Sequence, residues 1–285
     1  MAEKLTVVIV ALLGGDALVE CVGAVRTLCN NILVVRRDGV ILDAEGRTIG
    51  RAERLDIPAK RKSAVQLATT PLVALLEDTV VPDRGWAAAV ESALGESGVV
   101  ACGGPVRIAG GLPAQTLAMI LSDYGQYSDR RDASEVTALP GCNFAFRRHA
   151  LLEALRGLDG FLDLPVFSRL TERAGKLVWA PGMAVTFSRP YPQGARLKTC
   201  FNHGRLTTSL AAMHSRSGLR RVVAASKALL LPAVLTARTL KRVGPGKLRS
   251  PSTFGWLLLQ NTAWAAGEFT GAVAGPSRKG LGEWQ

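Results

Sequence analysis

Two adjacent carboxylates, Glu77 and Asp78, directly follow the apolar run at residues 72–76, which has the composition of a buried β-strand. In an open parallel sheet, ligands bind beyond the carboxyl ends of the strands, so this pair would lie where a ligand binds. Carboxylate oxygens suit Mg²⁺ or Mn²⁺, and such a cation would offset the charge of a leaving diphosphate. The same pair also fits a solvated turn or a helix cap, and the two residues alone leave both interpretations open.

Two consecutive arginines, Arg147 and Arg148, stand between a strand-like run at residues 139–146 and a predicted helix at residues 148–155. A guanidinium group can bind a phosphate through two parallel hydrogen bonds, so either arginine is a candidate phosphate ligand. The alternative is that both belong to a solvated helix face.

The sequence lacks the signatures of several other site types. Neither glycine-rich phosphate motif, GxGxxG or GxxxxGK[ST], occurs, and Gly103-Gly104 is interpreted as a turn. The five cysteines include no CxxC pair and the three histidines lie far from any such pair, which argues against a zinc site. An odd, dispersed set of cysteines without a recognisable signal peptide predicts reduced thiols and a cytoplasmic protein.

Segments of strand character alternate with segments of helical character along the first hundred residues. The predicted strands are residues 5–13, 31–35, 72–76 and 99–102, the predicted helices are 16–25, 60–69 and 82–94, and residues 36–54 form a polar loop or edge region. Asp16 is expected to cap the first helix. This alternation predicts an α/β fold in which helices cover both faces of a mostly parallel sheet.

The order of several segments resembles that of the family 2 glycosyltransferases. Residues 73–86, VALLEDTVVPDRGW, resemble the stretch in which a strand ends in a DxD-like motif before a proline and a helix that opens with Gly-Trp. Residues 139–163, LPGCNFAFRRHALLEALRGLDGFLD, resemble the region written PGxNxAFRR…GGFDE, and residues 162–185 resemble its continuation. FNHGR at residues 201–205 and AAGEFTGAVAGPS at residues 265–277 are similar to C-terminal pieces of membrane-associated members.

This resemblance implies a GT-A-like fold with C-terminal amphipathic helices, and transfer of a sugar from a nucleotide sugar to an acceptor with inversion. It implies Glu77 and Asp78 as donor-binding residues that hold the Mg²⁺ or Mn²⁺ ion; Arg147 is added as a donor-binding residue because of its guanidinium chemistry. It also implies that Asp163 is the catalytic base, because the family uses an aspartate there to take the acceptor proton. From the residues alone, Asp163 would equally fit as a cap for the helix that follows.

The implied division of the chain has three parts. Residues 1–104 would form the half that binds the nucleotide sugar, and residues 105–217 the acceptor-side half of the same catalytic domain. Residues 218–285 would form a basic and apolar helical region that associates with a membrane.

The sequence departs from the family pattern at four positions or segments. The last DxD position is Thr79, and the turn after the second strand reads Arg-Arg-Asp-Gly at residues 36–39 where the family has an aspartate-rich turn. Phe187 replaces the late histidine of the VxH motif, and Leu162 replaces the glutamate of the ED pair. These departures leave a second function open, a catalytically degenerate member that serves as a binding or scaffold protein.

His203 and Arg205 are the remaining candidates for donor binding. They stand in a basic segment, where they would neutralise the diphosphate in place of the missing histidine.

The net charge of +12 is concentrated in one segment, because residues 189–249 contain thirteen arginines and lysines and no acidic residue. Such a block predicts an anionic partner. Apolar runs at residues 218–243, with Pro232 near the middle, and at 254–274 favour the cytoplasmic face of the cell membrane, on which both would lie without crossing it. A glycan or lipid-linked acceptor would then be reached at that surface. The block has no interleaved stacking aromatics and no nucleic-acid-binding motif, so a nucleic acid is not expected as partner.

Overall fold

The computed structural model describes residues 2–128, 132–213, 218–243 and 250–274. The chain forms two compact units, of which the first comprises Met1–Gly110 with Tyr127–Arg189 and the second comprises Gly111–Gln126 with Pro190–Gln285. These boundaries differ from the division at residues 104 and 217 expected from the resemblance. Of the basic segment, Arg216, Lys247 and Arg249 lie outside the described residues, as does the tail from residue 276.

The first unit contains all twelve strands of the described residues. They are β1 Ala2–Val10, β2 Cys29–Val35, β3 Val40–Leu42, β4 Thr48–Arg51, β5 Leu72–Glu77, β6 Val80–Pro82, β7 Val99–Gly103, β8 Val106–Ile108, β9 Ser134–Glu135, β10 Asn143–Arg147, β11 Lys176–Trp179 and β12 Val185–Phe187. Nine of them form one sheet in the order β4-β3-β2-β1-β5-β10-β7-β11-β9, and β6, β12 and β8 form a small second sheet.

Helices in the described residues belong to both units. The first unit has α1 Gly15–Arg26, α2 Ile57–Leu67, α3 Trp86–Gly95, α5 Arg148–Ala154 and α6 Asp163–Glu172, and the second has α4 Ala114–Tyr124, α7 Gln193–Met213, α8 Gly218–Val243 and α9 Pro251–Ala274. The predicted α/β fold, a large central sheet flanked by helices, is therefore confirmed.

The central strands are the apolar, β-branched runs of the sequence. Residues 7–10 of β1 are fully buried, and β1 pairs in parallel with β2 on one side and β5 on the other. The sheet is mixed, because β10 runs antiparallel between β5 and β7, and β3 and β4 extend the β2 edge as an antiparallel hairpin. That hairpin occupies most of the stretch expected as a polar loop or edge region.

Two helix starts differ from the predicted ones. The N-cap of α1 is Gly14, at φ 73°, and Asp16 lies inside the first turn. The helix expected from residue 82 begins at Trp86, since Pro82 is paired with Val185 in the small sheet. The indole of Trp86 is completely buried, and its Nε1 donates to Asn143 Oδ1 over 2.8 Å.

Two glycines allow α7 and α9 to cross closely within the second unit. A Cβ on Gly204 would lie 2.1 Å from the carbonyl oxygen of Trp264, and a Cβ on Gly267 would lie 2.0 Å from that of Phe201. Both distances are far below van der Waals contact, so only glycine permits this separation of the two backbones.

All five cysteines are free and buried. Burial raises the pKa of the Cys21 thiol to about 12 and that of the Cys200 thiol to about 11, and it also raises the pKa values of Cys29 and Cys102. These four thiols are therefore protonated at neutral pH, and all five cysteines are shielded from solvent and behave as small apolar side chains.

Candidate functional site

The carboxyl ends of three parallel strands meet at one edge of the large sheet. Val10 is paired with Val35 on β2 and with Glu77 on β5, so the three strands end at the same level. The loops at residues 11–14, 36–39 and 78–79 consequently lie side by side. This is the edge at which open α/β sheets bind ligands.

Asp78 holds the first of these loops. Its Oδ1 accepts backbone N–H bonds from Leu12 at 2.8 Å and Leu13 at 3.1 Å, and its Oδ2 accepts from Leu13 at 3.1 Å and Gly14 at 2.7 Å. The residue is only 2 % exposed. Three backbone N–H groups therefore surround the carboxylate, and that of Leu13 is shared between its two oxygens. Asp78 thus fixes the loop between β1 and α1.

We expect Asp78→Asn to destabilise the protein, because the amide nitrogen that replaces one oxygen would face backbone donors. Each buried donor left without an acceptor costs about 1–3 kcal/mol. The free energy of unfolding, measured with urea, should fall by that amount or more. The control is Asp16→Asn, at an exposed position in the first turn of α1. Equal stability of the two variants would contradict the role assigned to Asp78.

Arg61 of α2 connects two carboxylates that are distant in sequence. Its Nη2 donates to Glu77 Oε1 at 2.9 Å and to the carbonyl oxygen of Gly141 at 2.6 Å, and its Nη1 lies 3.4 Å from Asp163 Oδ1. The guanidinium also packs over the ring of Phe144, with its central carbon 5.3 Å from the centroid. At 7 % exposure, Arg61 is a buried cation surrounded by acceptors.

Sequence reasoning missed Arg61 altogether. It stands in the run Lys60-Arg61-Lys62, which has the composition of a solvated helix face. In the structure Lys60 is 3 % exposed, and its Nζ donates to the carbonyl oxygen of Arg37 at 2.9 Å. Lys60 therefore holds the turn after β2, while Arg61 holds the end of β5. The one feature of the sequence that could have indicated their burial is that apolar residues flank this short basic run on both sides.

Asp163 is the first residue of α6, and its carboxylate faces Arg61. Burial raises the pKa of this carboxyl, and the positive charge of Arg61 partly opposes the rise. The side chain still has 41 % of its surface exposed, so its outer side remains open to solvent or to a substrate hydroxyl. A Cβ on Gly141 would lie 3.2 Å from Asp163 Oδ2, so the glycine leaves the carboxylate room. This is a positioned carboxylate that can accept a proton.

Arg147 lies at the opposite edge of the sheet from these groups. Because β10 is antiparallel to β5, Arg147 is paired with Leu72 at the start of β5, five residues before Glu77. Its Nε donates to the carbonyl oxygen of Val99 at 2.7 Å, and its Nη2 to that of Glu96 at 3.0 Å. The structure therefore gives Arg147 a role in holding the start of β7 and removes it from the donor-binding candidates.

His203 and Arg205 belong to α7 of the second unit. The imidazole of His203 meets the ring of Trp264 edge to face, with 6.1 Å between the centroids. Burial lowers the pKa of His203 to about 4, so the ring is neutral at pH 7 and does not supply the positive charge predicted for it. Arg205 is half-buried, and its backbone nitrogen faces Gly267 at the crossing of α7 and α9.

The residues expected to hold a divalent cation do not fit one. Both oxygens of Asp78 already accept backbone N–H bonds, and Glu77 is paired with Arg61, whose positive charge would repel a cation there. The buried hydroxyl of Thr79 has no hydrogen-bond partner, but one neutral oxygen does not balance a dication. No group of three metal-ligating side chains occurs within the described part of the chain.

No protein-family model matches the chain, and no curated protein is similar to it in sequence. Solved structures do resemble it. A mannosyltransferase from Pyrobaculum calidifontis, PcManGT, in complex with GDP-mannose and Mn²⁺, superposes with a TM-score of 0.52 over 92 % of this chain and 85 % of its own, at 14 % identity. GalNAc-T7, in complex with UDP, GalNAc and Mn²⁺, superposes with a TM-score of 0.48 over 66 % of this chain and 44 % of its own, at 15 % identity. The chain therefore has a GT-A-like fold.

Proposed function

We propose that the first unit transfers a glycosyl group from a nucleotide sugar to an acceptor hydroxyl, with Asp163 as the catalytic base. The observation that carries the proposal is the Arg61 bridge, which brings the carboxylate at the start of α6 to the carboxyl edge of β5. The GT-A-like fold supports glycosyl transfer as the reaction class. A glycan or a lipid-linked alcohol is the proposed acceptor.

In the proposed reaction the exposed side of Asp163 takes the proton of the acceptor hydroxyl. The hydroxyl oxygen forms a bond to the anomeric carbon while the bond from that carbon to the diphosphate oxygen breaks, and the configuration inverts. Arg61 keeps the carboxylate in place and favours its ionised form. Asp163 therefore contributes general-base chemistry, and Arg61 contributes the positioning of that base.

The negative charge of the leaving diphosphate needs cations at the same edge. Arg36 and Arg37 are exposed in the turn that follows β2, and Arg36 is paired with Asp38 over 3.2 Å. Guanidinium groups bind phosphate oxygens in pairs, so this turn is the proposed site for the diphosphate. The turn takes the place of the aspartate-rich turn that the family resemblance would require.

Thermal unfolding with a panel of UDP-, GDP- and dTDP-sugars tests this function. A donor at about a hundredfold excess over its Kd stabilises the native state by about 2.7 kcal/mol, so one member of the panel should raise Tm while the others do not. The same donor should be hydrolysed or transferred. Stabilisation without any turnover would instead identify a degenerate binding protein, and no stabilisation by any member would refute the proposal.

We expect donor binding and transfer to be independent of divalent cations, since Asp78 and Glu77 are already engaged by protein groups. Initial rates in excess EDTA and in millimolar Mn²⁺ should agree to within about twofold, whereas a metal that stabilises the leaving group contributes several kcal/mol. The affinity for the donor should likewise not change. A tenfold or greater loss in EDTA that Mn²⁺ reverses would show that a cation binds despite these contacts.

The acid limb of the pH profile should reflect the raised pKa of Asp163. The base is active when ionised, and its ionised fraction falls as the pH drops through its pKa in the folded protein. Because burial raises that pKa, the midpoint of the acid limb of kcat/KM should lie above the usual carboxyl value of 3.8. A profile of kcat/KM between about pH 4 and pH 8 measures the limb. An acid limb whose midpoint lies at or below pH 3.8 would contradict the assignment of Asp163 as the base.

A further inference from the structure

The helices α8 and α9 of the second unit bury polar side chains. On α8 the buried residues include Thr236 and Thr239, and on α9 they include Thr253, Gln260 and Asn261. Asn261 Nδ2 donates to Thr236 Oγ1 over 2.9 Å, and Gln260 Nε2 donates to the carbonyl oxygen of Gln115 on α4 over 3.0 Å. One hydrogen bond between side chains thus joins α8 and α9 on their inner faces, and Gln260 connects α9 to the backbone of α4.

The outer faces of the same helices are apolar. The exposed large apolar residues are Val222, Val223, Leu229, Leu230 and Val234 on α8 and Phe254, Leu258, Leu259, Phe269 and Val273 on α9. Leu229 is 74 % and Leu230 is 68 % exposed. A helix on the surface of a water-soluble protein has the opposite arrangement, with its apolar stripe facing the core. Helices that face lipid hide polar groups inward in this way.

A groove between α8 and α9 extends this apolar surface. It encloses about 340 Å³ and is lined by Val222, Leu229, Phe269 and Val273 together with small residues. The segment Val222–Val243 is long and apolar enough to cross a membrane. Only 17 % of its most apolar 18-residue stretch is buried. A core helix of a soluble protein would be mostly buried, so the face is available to an apolar partner.

Positive charge accompanies the apolar residues. Lys227, Arg238, Lys241 and Arg242 are exposed on α8, which has no acidic residue. The side chains of Arg220 and Arg221 are not described. Long basic side chains can reach phosphate head groups while neighbouring apolar residues enter the acyl region. A second copy of the chain would bring two such positive faces together, which disfavours self-association through this surface.

We propose that the outer faces of α8 and α9 form a docking surface for an anionic phospholipid bilayer. The helices lie along the surface, since Lys227 and Arg238 confine the uncharged part of α8 to ten residues, which in a helix measures about 15 Å, half of a hydrocarbon core. The inference rests on the packing of the second unit and does not depend on the proposed catalytic activity.

Flotation of the full chain with vesicles tests the docking surface. The protein should float with vesicles that contain phosphatidylglycerol, bind vesicles of phosphatidylcholine much more weakly, and be released by high salt. Replacing Arg238, Lys241 and Arg242 by Gln should weaken binding about a hundredfold, at about fivefold for each charge near the surface. The matched control replaces Lys4, Arg84 and Lys176, exposed basic residues of the first unit, by Gln.

A separate variant tests the contribution of the exposed apolar side chains to vesicle binding. Leu229→Glu with Leu230→Glu should abolish flotation without unfolding the chain, because both side chains are exposed, and circular dichroism verifies the fold. Val19→Glu, at a residue 72 % exposed on α1, should float like the wild type. Wild-type protein that stays soluble with anionic vesicles, or a double variant that floats normally, would overturn the proposal. Retention after alkaline carbonate would show that a helix crosses the bilayer, and a dimer that the double variant dissociates without vesicles would identify a second copy as partner.

Discussion

Asp163→Asn should reduce kcat by about 10²–10⁴-fold, because an amide cannot take the acceptor proton. The substitution is nearly isosteric, and Arg61 retains its bonds to Glu77 and to the carbonyl oxygen of Gly141. Folding and donor affinity should therefore stay close to those of the wild type. Single-turnover transfer and the thermal shift with donor separate the two effects.

The matched control is Asp159→Asn, which alters an exposed aspartate in the loop before α6. Its kcat should equal that of the wild type. If Asp163→Asn retains activity within a few-fold of wild type, Asp163 is not the base. A variant that loses donor affinity together with kcat would instead assign the residue to donor binding.

Arg61→Met should strongly destabilise the first unit. It leaves the carboxylate of Glu77 buried without its counter-charge, and removing one partner of a buried ion pair costs about 3–5 kcal/mol. The free energy of unfolding in urea should fall by this amount. Combining it with Glu77→Gln should recover part of the loss, since the buried negative charge of Glu77 is then removed.

Two further variants sharpen this experiment. Arg61→Lys keeps the charge but cannot reach Glu77, Gly141 and Asp163 with one planar fork, so its stability should fall between wild type and Arg61→Met. Arg173→Met removes an exposed arginine whose ion pair with Glu153 is a surface contact, and its effect should stay below about 1 kcal/mol. Equal losses for Arg61→Met and the double variant would show that charge compensation of Glu77 is not the cause.

The strands and the fold class could be predicted because their signals are local. Runs such as Val-Val-Ile-Val at residues 7–10 are apolar and β-branched, and such a run predicts a buried strand whatever lies elsewhere in the chain. The edge that carries Glu77 and Asp78 followed from the parallel pairing of β1, β2 and β5. Asp163 entered as a candidate through the resemblance of its segment, and no local pattern distinguished it from a helix cap.

The site features that the sequence did not predict depend on contacts between segments that are distant along the chain. Arg61 is 102 positions from Asp163, and nothing in a short basic run reveals that one member will be buried against two carboxylates. The place of Arg147 depended on strand direction, because an antiparallel β10 puts its end at the far edge of the sheet. Asp78 was expected to hold a cation or to lie in a solvated turn or cap, but its partners are backbone amides of another loop, which no side-chain pattern encodes.

The burial of all five thiols makes this chain convenient for site-specific labelling. Maleimide reagents attack exposed thiolates, and every native cysteine is buried, with burial raising the pKa values of Cys21, Cys29, Cys102 and Cys200. A single cysteine introduced at Leu229 or Val19 would then take up a fluorophore selectively in the folded protein, with no native cysteine removed. Because these two positions differ in neighbours but hardly in exposure, the pair of probes would compare the local polarity of the two units in one preparation.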